Sequence, residues 1–374
     1  MGFIPVVPLY AILFVLEKVV TRQQLSILFA IWSFAFLVAE IPSGMFADYV
    51  SRKYALATAG ILRGACFLTW FLFPHFTGYM IGFILWGFGI AFNSGGDQAF
   101  IHNELRVSKN ERLFSRYFGM INSSNLIGFV AAYLLAAVAG PQHFEGLILL
   151  SAAAAIAGGV ITLLPKEHAW TKQATYLHTW RSAWRSFKLS RSLQFICASM
   201  FMVYMTIGVL EEYVPRLHAD FGRSPRVVSL IIMTSIIFSA VVASQLHHYI
   251  KLKKRTFYGL LTVGCLLFVG SLMLSGIAGS VLLFGFVAMF ALQRVVFNYL
   301  IQHFADTEER VTIGSIPSFA GGLLGGVANI AIGYVSQRSS EVHALLLYGI
   351  VLLAIYLIML LAQNKFIGGT SEYI

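Results

Sequence analysis

The stretch "SGMFADYVSRKYAL", Ser43 to Leu56, sets one acid and two adjacent bases between two long apolar runs. Each flanking run is roughly 20 residues, the length of helix that crosses a bilayer. The polar turn therefore reads as a loop at a membrane surface, and the question is what its charges do there.

Composition agrees with that reading. Of 374 residues, 58% are apolar and 11% charged, with mean hydropathy +0.78. A soluble globular domain is about 25% charged, so this chain cannot cover a water-facing surface. Apolar runs lie near 1–20, 24–46, 54–74, 78–101, 115–139, 144–164, 193–214, 226–249, 256–276, 279–302, 312–335 and 342–362. The expectation is an all-α membrane protein of twelve transmembrane helices. The first run is the weakest, because Glu17 and Lys18 fall near its end. Met1 starts almost directly in it, with no basic leader of the signal-peptide kind.

A net charge of +10 raises the question of nucleic acid. The positions of the bases answer it. With both termini cytoplasmic, eighteen Lys and Arg fall in cytoplasmic segments and six (Lys18, Arg22, Arg216, Arg223, Arg226, Arg338) in outer loops. Arg63 and Arg294 remain inside spans. This is the positive-inside pattern of a multi-pass protein, so the expected charge partners are membrane lipids and not nucleic acid. Cys66, Cys197 and Cys265 lie scattered in apolar runs without metal-ligand spacing, and no metal is expected.

The longest polar segment, Pro165 to Ser192, divides the spans six and six. Its Trp180, Arg181, Trp184, Arg185, Phe187 and Lys188 have the spacing of an amphipathic helix on the inner leaflet, or of a solvated linker. The expected organisation is a bundle over 1–164, a cytoplasmic linker over 165–192 and a second bundle over 193–374. The halves echo each other: Tyr10 and Glu17 match Tyr204 and Glu211, Tyr49 and Lys53 match Tyr249 and Lys253, and Glu111 and Arg112 match Glu309 and Arg310. One order and nearly one offset suggest a parallel repeat.

Three motifs carry a family resemblance. Gly44-Met-Phe-Ala-Asp48-Tyr-Val-Ser-Arg52-Lys53 resembles the G-x-L-A-D-R-x-G-R-R/K loop of the major facilitator superfamily of secondary transporters, with Tyr49 and Ser51 departing from it. "EIPSG" (Glu40 to Gly44) with "SGGDQAFIHNEL" (Ser94 to Leu105) resembles a pattern of its bacterial members, although Asn103 stands where an acid is usual and Glu104 follows it. "EERVTIGSI" before the eleventh run resembles the family's R-A-T segment.

The resemblance implies a conformational latch on the cytoplasmic side, formed by Gly44, Asp48, Arg52, Lys53, Glu104, Arg112 and Arg310. Asp48 would face a helix N-terminus near Val311–Ser315, and Arg52 would pair with Glu104. The plainer alternative is that Arg52 and Lys53 only enforce topology and Asp48 only ends a helix.

Charges within spans are costly, about 2.5–3.5 kcal/mol each at a helix centre. Glu40, Arg63 and Asp97 fall at similar depth, about 12–15 Å from the cytoplasmic ends of their spans at 1.5 Å per residue. They are the proton-coupling candidates, with Arg63 neutralising Glu40 or Asp97. A static ion pair fixing helix packing is the alternative. Candidate substrate-cavity residues are Trp32, Phe36, Asn93, Asn122, Asn125, Tyr204, Gln293, Arg294, Asn298 and Asn329, with Trp86 beside them. Arg294 would attract an anionic group of the substrate. Glycines of "FAGGLLGGVANIAIG" permit close helix approach, and Pro42 and Pro317 permit bends.

No phosphate-cradling loop, catalytic triad or metal spacing is present, so neither an enzyme nor a cofactor is expected. The expected function is alternating-access transport of a small organic molecule by a monomer in a bacterial inner membrane. Proton-coupled efflux of lipophilic or drug-like compounds comes first. The fifth span lacks the glycine-and-proline signature of proton antiporters, which keeps proton-coupled uptake of a polar nutrient open. A non-transporting receptor or scaffold is the third reading.

Overall fold

The computed structural model describes residues 2–16, 19–94, 96–165, 188, 191–246, 254–304 and 310–366. Within these, the side chains of 41, 48–49, 96–99, 102–103, 111, 115, 191–193, 242–246, 254, 291–304, 310–318 and 364–366 lie outside the description. The expected amphipathic segment of the linker falls almost entirely beyond it.

Among the described residues thirteen α-helices with given bounds run in chain order, and there is no strand. They are α1 (Val7–Leu16), α2 (Arg22–Tyr49), α3 (Arg52–Leu72), α4 (Phe76–Asn93), α5 (Gly96–Val107), α6 (Phe114–Ala139), α7 (Phe144–Ile161), α8 (Arg191–Asp220), α9 (Pro225–Leu246), α10 (Lys254–Leu274), α11 (Gly276–Phe304), α12 (Arg310–Arg338) and α13 (Glu341–Phe366). Among the described residues, nine helices are long and apolar enough to cross a membrane. Three shorter apolar stretches, Val7–Leu16, Pro225–Val241 and Gly276–Phe290, fall on the first, eighth and tenth expected spans.

Local chemistry sets the helix ends. Thr21 opens α2 with a reciprocal cap: its Oγ1 accepts from Gln24 N at 3.1 Å, and Gln24 Oε1 accepts from Thr21 N at 2.8 Å. Ser51 opens α3 by accepting from Tyr54 N at 3.1 Å. The polar turn of the opening stretch is therefore only Val50 and Ser51, between α2 and α3. Gly222, at φ +84°, ends α8; the Arg223 N–H turns back to His218 O at 3.1 Å, a geometry that a side chain at φ > 0 would strain.

Two expectations are corrected here. The fourth span is not one helix over 78–101: α4 stops at Asn93, where Ser94 takes an extended conformation (ψ 114°), and α5 begins at Gly96. Helix-poor Ser and Gly occupy the break. The seventh span does not end at 214. The helix runs on to Asp220 through Pro215, so Arg216 is a buried helical residue and not a loop base.

The chain packs as two compact units, one of Met1–Thr171 with Ser224–Met233 and one of Lys172–Arg223 with Thr234–Ile374. Ser224–Met233, at the start of α9, thus group with the N-terminal unit.

In the first unit, α3 is gripped between α4 and α7, α2 lies on α4, and α1 touches α2 and α6. Small residues let α3 and α7 approach: a Cβ on Gly60 would stand 2.7 Å from Gly159 N and 2.8 Å from Ala155 O. An aromatic cluster fills the other face. Tyr10 lies 5.3 Å from Trp70, Phe14 stacks on Tyr79 at 3.8 Å, and Phe83 stacks on Trp86 at 6.0 Å. The Val6 N–H donates to Ser151 Oγ at 3.0 Å, tying the start of α1 to α7.

In the second unit, α8 packs on α12, and α10 packs on α11 and α13. A buried polar seam runs along α8. Ser199 Oγ meets Tyr258 Oη at 3.0 Å, and seven residues on Thr206 Oγ1 meets Tyr356 Oη at 2.9 Å. Near the end of the helix Arg216 bonds Glu341. In lipid, where apolar contact gives little drive for helix association, such pairs help set which faces meet.

Candidate functional site

The strongest constellation in the first unit is built on Glu40. This residue sits inside continuous α2, eight residues from Asp48, so about 12 Å along the axis. Pro42 follows within the same helix, and Ser43 Oγ donates to Glu40 O at 3.0 Å. The side chain is half-buried. Its Oε1 accepts from Ser94 Oγ at 3.3 Å, and its Oε2 is buried without a hydrogen bond among the described residues. The interruption of the fourth span therefore lies directly against the carboxylate.

Of the expected trio of Glu40, Arg63 and Asp97, the side chains of Glu40 and Arg63 are described. Arg63 is 9% exposed on α3 and lines a cavity of about 90 Å³ with Phe3, Gly60, Ala154, Ala155 and Gly158, toward α7. Among the described residues Glu40 meets Ser94. Gly60 and Arg63 are three residues apart, which puts both on the α7 side of α3. The Asp97 side chain lies outside the described residues.

Of the latch candidates, Gly44 is exposed, with nothing within 4 Å of where its Cβ would be. Arg52 is buried at the first turn of α3. Lys53 Nζ donates to Leu163 O at 3.0 Å and Pro165 O at 3.1 Å, closing the C-terminal end of α7 within its own unit. Glu104 is half-buried on α5, and Arg112 is exposed in the short turn Glu111–Leu113. The side chains of Asp48 and Arg310 lie outside the description.

Of the cavity candidates, Trp32 is half-buried, 6.3 Å from Trp86, and its indole N–H is buried without an acceptor among the described residues. Trp86 belongs to the aromatic core. Phe36 and Asn93 are half-buried, Asn122 is exposed, and Asn125 is half-buried beside the backbone of Gly2. Tyr204 is half-buried, its Cβ 3.2 Å from where a Cβ on Gly321 would be. Asn329 is 1% exposed. The side chains of Gln293, Arg294 and Asn298 lie outside the description.

The residues that sequence reasoning missed are Ser94 as the partner of Glu40, and Arg216 with Glu341. The 7-residue spacing of Ser199 and Thr206 was a legible signal for the seam. Nothing local marks Arg216, since a base near the end of an apolar run reads as a loop residue.

A family model for the Major Facilitator Superfamily matches residues 1–328. Comparison with curated protein sequences gives no match. Among solved structures, a variant of nucleoside transporter NupG is similar, with TM-score 0.75 and 13% identity over 96% of this chain and 95% of that one. A D-xylose-proton symporter matches with TM-score 0.73 and 14% identity, over 96% and 93% of the two chains. A bacterial homolog of the human lysosomal transporter Spinster, in an inward-facing and unoccupied conformation, matches with TM-score 0.70 and 13% identity, over 100% and 95%. At these identities the structural likeness is one of fold.

Proposed function

The chain belongs to the major facilitator superfamily, and from that premise we propose that it moves a small organic molecule across the membrane by alternating access, driven by protons at Glu40. It is a multi-pass membrane transporter and not an enzyme. The observation that carries the coupling is the Glu40 carboxylate: inside a span, with one oxygen on a serine hydroxyl and the other buried and unbonded among the described residues. A fixed charge there costs about 2.5–3.5 kcal/mol. A carboxylate that takes up and releases a proton bears that cost for only part of a cycle.

Export of lipophilic or ring-bearing compounds is the first reading of the cargo, supported by half-buried Trp32 and Phe36 one turn apart on the same helix as Glu40. Uptake of a polar nutrient is favoured by a different observation. Asn122, Ser123 and Ser124 are exposed side chains within the apolar helix α6, and polar groups in a span prefer a water-filled path to lipid. The nucleoside and xylose transporters of similar fold handle polar cargo of that kind.

Flux into right-side-out and inside-out vesicles, with and without a pH gradient, decides the matter for panels of both compound classes. Gradient-driven accumulation in one orientation is expected, and Glu40→Gln should abolish it while downhill exchange persists. Accumulation by Glu40→Gln equal to wild type would falsify the coupling.

The latch belongs to the same proposal. Gly44 is exposed, with nothing among the described residues within 4 Å of where its Cβ would be, so the described packing does not require a glycine there. Asp48→Asn is expected to slow transport at normal expression. Unchanged flux would leave the turn as a topology signal alone, and the hold of Lys53 on α7 already serves a structural end.

A further inference from the structure

The turn between α5 and α6 gathers positive charge that the coupling at Glu40 does not use. From Arg106 to Tyr117 the sequence RVSKNERLFSRY holds four bases and one acid, Glu111, so a surplus of three positive charges remains whatever Glu111 meets. The first turn of α6 adds no acid. Lys109, Arg112 and Arg116 are all exposed. The backbone keeps them close. Leu113 N–H donates to Asn110 O at 2.9 Å, and Glu111–Leu113 is a single helical turn leading into α6, so Arg112 and Arg116, four residues apart, share one side.

Lys109 is held at φ +57°. Its N–H donates to Arg106 O at 3.1 Å, and the next N–H, of Asn110, donates to Leu105 O at 2.8 Å. This pair of hydrogen bonds closes α5 in the geometry that usually takes glycine. A lysine strains the backbone there, and strain of that kind points to a use for the side chain.

Apolar side chains stand among these bases. Val107, Leu113 and Tyr117 are exposed, and along α6 the exposure continues at Met120, Ile127, Leu134 and Val138. Their spacing makes one stripe down the span Arg116–Ala139. A soluble anion would leave that stripe without a partner, and an acidic protein or nucleic acid would meet it with polar surface. A lipid matches both parts. Tyr117 lies at their junction, the level at which tyrosine is enriched in membrane proteins. We propose that Lys109, Arg112 and Arg116 hold the headgroup of an anionic phospholipid at the start of α6, with an acyl chain along Tyr117, Met120 and Ile127. The site is independent of Glu40.

The test is native mass spectrometry of the full chain in detergent, with dioleoylphosphatidylglycerol or dioleoylphosphatidylcholine added. Wild type should retain phosphatidylglycerol in preference, and less so as ammonium acetate rises. Each base is worth about a fivefold factor, from about 1 kcal/mol near an anionic surface. Lys109→Gln with Arg112→Gln and Arg116→Gln should therefore weaken phosphatidylglycerol binding about a hundredfold. Arg223→Gln with Arg226→Gln and Arg338→Gln removes the same charge elsewhere and should leave the preference intact. If the first triple variant is not recovered folded, Lys109→Gly decides: glycine relaxes the positive φ, so this variant should be at least as stable in lipid-free detergent and still bind about fivefold more weakly. Dihexanoylphosphatidylglycerol, with the same headgroup on short chains, should bind more weakly than the dioleoyl lipid.

Equal retention of the two dioleoyl lipids, a preference that survives the Lys109 variants, or a control triple that loses it equally overturns the site. Displacement of the dioleoyl lipid by glycerol 3-phosphate at matched concentration would make the turn a phosphate site without a lipid, and overturns the proposal as well.

Discussion

Glu341→Gln is expected to cost about 3–5 kcal/mol of stability, the usual effect of removing one partner from a buried ion pair. Arg216 is 3% exposed and Glu341 2%, so the guanidinium would be left charged and enclosed. Both charges also suit their places. Arg216 lies near the C-terminal end of α8, and Glu341 is the first residue of α13, behind the Ser340 cap, so each faces the helix pole of opposite sign. Replacing both at once, Arg216→Met with Glu341→Leu, removes the enclosed charge and should recover most of the loss. The three cysteines are all buried, so thiol labelling during thermal unfolding in detergent reads the effect directly. A double variant no more stable than the single one would show that the residues matter for packing and not as a pair.

Gly60→Leu is expected to be comparably damaging, about 3 kcal/mol or somewhat more, at or above the top of the usual range for overpacking. The atoms that a Cβ would meet are backbone, Gly159 N at 2.7 Å and Ala155 O at 2.8 Å. A side chain could rotate away, but a helix axis has to translate. The α3–α7 contact would open, and with it the hold of Lys53 on the end of α7. Gly146→Ala, on α7 with nothing within 4 Å of the added atom, is the control. It should be neutral or stabilising by up to about 1 kcal/mol through helix propensity. Equal melting temperatures for the two variants would refute the close-approach account.

The candidate site was legible in its parts and not in its connections. Glu40 announced itself as a carboxylate in an apolar run, and the same reasoning found Arg63. Which acid answers Arg63, Glu40 or Asp97, did not follow, because depth along a helix says nothing about azimuth. Arg63 shares the α7 side of α3 with Gly60, whereas Glu40 faces the broken end of α4. The break itself was visible as Ser-Gly-Gly, yet surrounding hydropathy carried a single span through it. Arg216 was misplaced for the opposite reason: Pro215 and a base read as the start of a loop, while Glu341 supplies the charge that lets the helix continue.

By itself the sequence determined that this is a multi-pass helical membrane protein of the major facilitator superfamily, and roughly where each helix runs. Those are consequences of transfer free energy, which sums residue by residue along the chain against a solvent of known thickness. Only the tertiary structure decided which polar group answers which: Ser94 for Glu40 across 54 residues, the carbonyl of Leu163 for Lys53 across 110, and Glu341 for Arg216 across 125. Such partners meet through the rotation and tilt of packed helices, which depend on the interlocking of whole faces and not on any property of the paired residues alone.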